Sequence, residues 1–130
     1  MVVKRRAEGP RIALVGPCAS GKSTLATRLR ALGIEARTPA QEHSGVPTMW
    51  RTLLEPLVLV ALDAPNDELR ARRPGGGLTD TLLGRQRERL AHAARHADLV
   101  IDTHDLDFEA ALEAILALLE ERGVWAPPGD

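Results

Sequence analysis

Nine consecutive residues concentrate the chemistry of this chain. Gly16, Pro17, Cys18, Ala19, Ser20, Gly21, Lys22, Ser23 and Thr24 satisfy the spacing G-x-x-x-x-G-K-[ST] in full. Each part of that spacing suits a polyphosphate. Gly16 and Gly21 admit backbone angles and close approaches that a Cβ would block. Successive backbone N–H groups can then curl into a nest that binds anions, and a helix beginning near Lys22 adds the positive end of its dipole at the same point. Lys22 supplies a mobile charge for outer phosphates, and the Ser23 hydroxyl is a ligand for Mg²⁺. The bland alternative is a glycine-rich turn that binds nothing, and the flanking elements argue against it.

Those elements are legible in the apolar pattern. Residues 11–15 form a short apolar run that stops at Gly16, the pattern of a buried strand. Lys22 to Leu32 reads as a helix, with Leu25, Leu29 and Leu32 on one face and Gly33 as its stop. Residues 34–38 suit a second strand that Pro39 ends, and 47–55 suit a short helix carrying Trp50, Leu53 and Leu54. Residues 57–63 are apolar on both faces, as a central parallel strand should be. Helices follow over 66–73 and 79–97, separated by the flexible Pro74-Gly75-Gly76-Gly77. Residues 98–102 read as another buried strand, and Phe108 to Arg122 as a final amphipathic helix capped by Asp107 and ended by Gly123. Strands alternating with helices predict a single α/β domain over 1–130, with 124–130 as a tail.

Composition narrows the function classes. Seventeen basic against 18 acidic side chains in 130 residues leave no electrostatic footprint for nucleic acid. Trp50, Phe108 and Trp125 are the only aromatics, so base-stacking platforms are almost lacking. No stretch approaches the length of a membrane span. The N-terminus has no secretory apolar run, and a lone cysteine, Cys18, predicts a reducing, cytoplasmic setting. His43, His92, His96 and His104 have no metal-ligand spacing with Cys18, which predicts no zinc site.

With its flanking strand and helix, the Gly16–Thr24 segment resembles the P-loop NTPases, and more narrowly their small-molecule kinase branch, which includes the nucleoside monophosphate kinases. Residues 59–73, ending Glu68-Leu69-Arg70-Ala71-Arg72-Arg73, are similar to the strand and helix that lead into those enzymes' lid. Residues 97–106 are similar to their last strand and the loop beside the base. The three stretches cover about half the chain. The resemblance implies a three-layer P-loop fold with a short, mainly parallel sheet of four to five strands flanked by helices. It also implies ATP with Mg²⁺, and transfer of the terminal phosphoryl group to a small-molecule acceptor. Residues 66–89 would form the lid, with Arg73 and Arg85 as the arginines that touch phosphate. His104 and Asp105 would border the base. The bland reading of Arg85, Arg89, His92 and His96 is a solvated helix stripe.

Two carboxylates compete for the metal. Asp63 ends an apolar strand, whereas Glu42 lies beyond the second strand among Gln41, His43 and Ser44. Glu42 is placed ahead of Asp63 as the functional acid. The two dozen or so residues between Gly33 and Leu57 leave room for one strand and one short helix, too little for a nucleotide acceptor site. The alternative to a kinase is therefore a nucleotide-binding switch or interaction module with little phosphotransfer. A guanine switch is disfavoured because neither Asn-Lys-x-Asp nor Asp-x-x-Gly is present. The oligomeric state stays open.

Overall fold

Alternate residues of the central strands feed two different cores. The computed structural model describes residues 9–104 and 107–129, the side chain of Leu53 excepted; Asp105 and the N-terminal segment 1–8 lie outside them. Strands β1 (Arg11–Val15), β2 (Glu35–Arg37), β3 (Val58–Asp63) and β4 (Leu99–Asp102) form one sheet in the order β2-β1-β3-β4, every pairing parallel. Helices α1 (Lys22–Ala31), α2 (Met49–Leu54), α3 (Asn66–Arg72), α4 (Asp80–His96) and α5 (Phe108–Glu121) complete it.

Ile12 and Leu14 of β1 join Val58, Val60 and Leu62 of β3 under Leu25 and Leu29 of α1 and Leu112, Ile115 and Leu119 of α5. The intervening Ala13, Val15, Leu59 and Ala61 pack against Trp50 of α2 and Leu90 and Ala93 of α4. Two buried faces explain why β1 and β3 read as continuous apolar runs. The protein is thus an α/β domain whose four-stranded parallel sheet carries helices on both faces, compatible with three layers. Each fully buried aliphatic side chain contributes about 1.5–3 kcal/mol.

Local signals end the elements where the sequence places them. Gly33 and Gly123 take left-handed φ of 84° and 70°. Asp107 accepts from Ala110 N at 3.1 Å, capping α5. The sheet departs from expectation at β4. Residues 98–102 read as a buried strand, but β4 is the sheet's edge and only alternate residues turn inward, so Val100 is 62% exposed. Nor do residues after Gly123 all hang free: Val124 and Trp125 pack on the α1/α5 core, and Trp125 Nε1 donates to Leu32 O at 3.1 Å. No described helix is long and apolar enough to cross a membrane.

The stripe on α4 is not uniformly solvated. Trp50 Nε1 donates to His92 Nδ1 at 3.4 Å, and the His92 and His96 rings stack at 4.2 Å. Partial burial holds the His92 pKa below the ordinary imidazole value, with His96, Arg51 and Arg95 adding repulsion. A depressed imidazole stabilises the fold fully above its unfolded pKa of about 6.5, and that contribution is lost as pH falls. NMR titration should therefore give His92 a midpoint below 6.5, with a mild loss of stability as pH drops through that region. A midpoint above 6.5 would overturn the assignment.

Candidate functional site

β1 delivers the chain to Gly16 beside the end of β3, where space is tight. A Cβ there would stand 2.6 Å from Ser20 Oγ and 2.7 Å from Leu62 O. The loop then reverses through Ala19 (φ 67°) and Gly21 (φ 104°), left-handed conformations that favour glycine at the second. A Cβ on Gly21 would also meet Phe108 Cε1 at 2.3 Å. α1 begins at Lys22 directly after Gly21, which has no side chain to cap the first-turn N–H groups. They are left as donors facing outward from the start of the helix.

Lys22 Nζ folds back over the loop. It donates to Gly16 O at 2.6 Å and Pro17 O at 3.0 Å, and lies 3.1 Å from Glu42 Oε2. The two side chains are only 12% and 8% exposed, so little water screens the pair. Glu42 reaches this point from a 3-10 turn, Gln41–His43, placed just after β2. The turn is held from below by buried Gln41, which donates to Val46 O (2.8 Å) and accepts from Trp50 N (2.9 Å). Arg89 on α4 adds a hydrogen bond to Glu42 O at 3.3 Å. Glu42 Oε1 is buried and has no hydrogen-bond partner among the described residues.

Two side chains that the sequence reading did not single out fix the loop from outside. Gln86 on α4 is fully buried; its Oε1 accepts from Cys18 N at 2.9 Å and its Nε2 donates to Cys18 Sγ at 3.1 Å. Arg72, at the end of α3, donates from Nη1 to Ala19 O and to Thr103 Oγ1, both at 3.0 Å, and from Nη2 to Thr103 O. Its guanidinium also lies over the Phe108 ring at 5.6 Å. No apolar periodicity marks a glutamine in a helix or one arginine among fifteen, which is why neither stood out.

These groups surround a cavity of about 590 Å³, lined by Cys18 to Thr24, Thr38, Ala40, Glu42, His43, Arg72, Arg73 and Phe108. That volume lies within the about 300–1,000 Å³ of small-ligand sites. Of the residues selected from sequence, the fold brings Cys18 to Thr24, Glu42 and Arg73 to this cavity, while Gly16 and Pro17 stand outside its lining and hold Lys22 Nζ through their carbonyls. It does not bring the other three. Arg85 is exposed on α4 and does not line it. His104 stands outside the lining, with Nδ1 3.3 Å from Glu68 Oε1. Asp63 accepts from Arg87 Nη2 at 3.0 Å and from Ala64 N at 2.8 Å, beside a separate cavity of about 410 Å³.

The two carboxylates are thereby separable by experiment. Asp63→Asn should leave ligand binding at the loop within about twofold, costing only its ion pair with Arg87, worth about 1 kcal/mol at this exposure. Glu42→Gln should abolish the Mg²⁺ dependence of any binding there. Isothermal titration with and without Mg²⁺ tests both, and the reverse ranking would exchange the two roles. Compared with protein-family models, with curated proteins and with solved structures, the chain matches none.

Proposed function

We propose that Gly16–Thr24 is a P-loop, that the chain binds a nucleoside triphosphate, in the first place ATP, together with Mg²⁺, and that it transfers the terminal phosphoryl group to a small acceptor. The observation that carries this reading is the position of Lys22. Its ammonium is held by two loop carbonyls and one carboxylate at the uncapped start of α1, inside a cavity of ligand size. Those are contacts that a polyphosphate can replace.

The residues fit the group they would hold. The close approach at Gly16 and the left-handed turns at Ala19 and Gly21 make a cradle that a Cβ would partly fill. The N–H groups of the first turn of α1 would receive phosphate oxygens, and the helix dipole favours that charge. Ser23 and Glu42 offer the hydroxyl and carboxylate oxygens that Mg²⁺ prefers. When bound, Mg²⁺ neutralises charge on the outer phosphates. Lys22 would swing from Gly16 O and Pro17 O to the outer phosphate and stabilise the charge that builds there. Arg73 borders the same cavity on the α3 side and is free to close over it, because the following Gly75 and Gly77 take φ of 75° and 72°. Leu78, buried with Ala64, Leu69 and Leu83, anchors the far end of that segment.

ADP release measured over a panel of small alcohols, acids and amines tests the transfer step. Acceptor-dependent release that Lys22→Ala abolishes is expected. One observation favours a second reading, a nucleotide-binding switch: between β2 and β3 the chain spends its polar turn and α2 on internal packing, with Gln41 and Trp50 buried. Tight binding with no turnover for any acceptor would select it.

A further inference from the structure

The spacing of histidines and cysteine in the sequence gives no metal pattern, yet the fold assembles one. The 3-10 turn carries His43 to the face of the loop, so that Cys18 Sγ and His43 Nε2 stand 3.8 Å apart. His43 Nε2 in turn lies 3.7 Å from Glu42 Oε2. A thiol, an imidazole and a carboxylate thus each present one ligand atom, all within 4.8 Å of one another. We propose that Cys18, His43 and Glu42 form a binding site for Zn²⁺ or a similar borderline cation at the mouth of the loop, sharing Glu42 with the oxygen-ligand Mg²⁺ site.

The distances suit that class of ion. Sulfur, nitrogen and oxygen ligands arranged tetrahedrally around Zn²⁺ stand about 3.3–3.6 Å from one another. The two separations to His43 Nε2, 3.8 and 3.7 Å, need a few tenths of an ångström of closure, within the reach of an exposed His43 side chain, and the Cys18 and Glu42 ligand atoms lie within 4.8 Å of each other. A hard cation such as Mg²⁺ would reject the thiolate and imidazole. Three protein ligands leave a fourth position open to water or to an incoming oxygen ligand.

The surroundings support the same set. Gln86 Nε2 donates to Cys18 Sγ at 3.1 Å, orienting the sulfur. Glu42 is nine-tenths buried, and its Oε1 has no hydrogen-bond partner among the described residues. The carboxylate therefore retains capacity that the protein itself does not use. Lys22 is the counter-charge to displace, and Gly16 O and Pro17 O already hold it from the other side. On binding, the Cys18 thiol proton passes to solvent, so affinity falls in acid. Because Glu42 is also the acid assigned to Mg²⁺ above, loading with Zn²⁺ should inhibit nucleotide binding; that consequence, unlike the site itself, rests on the functional reading.

The test uses reduced, nucleotide-free protein titrated with Co²⁺ and then Zn²⁺. One Co²⁺ per chain with a thiolate charge-transfer band in the near ultraviolet, displaced by Zn²⁺, is expected. Cys18→Ala should remove the band, and His43→Ala, at an exposed position, should weaken binding at least about 10-fold. His96→Ala, on the stacked pair of α4, should change nothing. No charge-transfer band in the folded wild type, or an affinity unaltered by His43→Ala, would overturn the site. Nucleotide binding measured separately without Zn²⁺ keeps its failure distinct from failure of the P-loop reading.

Discussion

Lys22→Ala should lower affinity for a Mg²⁺-bound nucleoside triphosphate, and any turnover, by at least about 100-fold, the scale of losing one preorganised charge at developing phosphate charge. Stability should fall as well, because Glu42 would be left 8% exposed without its ammonium partner. Breaking a buried pair in this way costs about 3 kcal/mol. The two effects separate in a double variant. Lys22→Ala with Glu42→Gln removes the stranded charge and should recover most of the stability seen by thermal denaturation, with no recovery of nucleotide binding. Recovery of both would mean that Lys22 serves the fold and not a ligand.

The second large effect belongs to Arg72. Its side chain is 8% exposed and ties three parts of the protein together: the end of α3, the loop at Ala19 and the chain after β4 at Thr103. Hydrogen bonds from a charged donor are worth about 1.5–3 kcal/mol each, and part of that is recovered by water once the side chain is gone. Arg72→Ala should therefore destabilise by about 3 kcal/mol in urea denaturation. Arg72→Lys should restore little of it, since one ammonium cannot replace a planar fork reaching two carbonyls and a hydroxyl. Neighbouring Arg73 is exposed, and Arg73→Ala should change stability by less than about 0.5 kcal/mol while affecting nucleotide binding. Equal stabilities for the Arg72 and Arg73 variants would refute the division of roles.

That division marks the boundary of what a sequence can disclose here. Period and punctuation located the elements: β1 spans Arg11–Val15 and α1 starts at Lys22, as the apolar run and the glycines imply. The loop's spacing and its flanking strand and helix were legible because they are local. Whatever depends on sheet order was not. Asp63 ends one strand and Glu42 follows another, and only the order β2-β1-β3-β4 decides that the turn after β2 opens onto the loop while Asp63 turns to Arg87. The same order makes β4 an edge, so Val100, one of its three apolar residues, is exposed. Gln86 and Arg72 are found only by asking where the backbone groups of the loop and the Cys18 thiol find their partners. The meeting of Cys18 with His43, 25 residues apart, likewise comes from the turn's position in space and from no spacing rule.

The most direct test of the proposal that Gly16–Thr24 binds phosphate is calorimetric titration of Mg·ATP and Mg·GTP into the folded, wild-type protein. A saturating heat for one triphosphate per chain, lost in Lys22→Ala and strongly reduced without Mg²⁺, is the expected result. Absence of any heat or uptake for either nucleotide, with the fold confirmed by circular dichroism on the same sample, would contradict it.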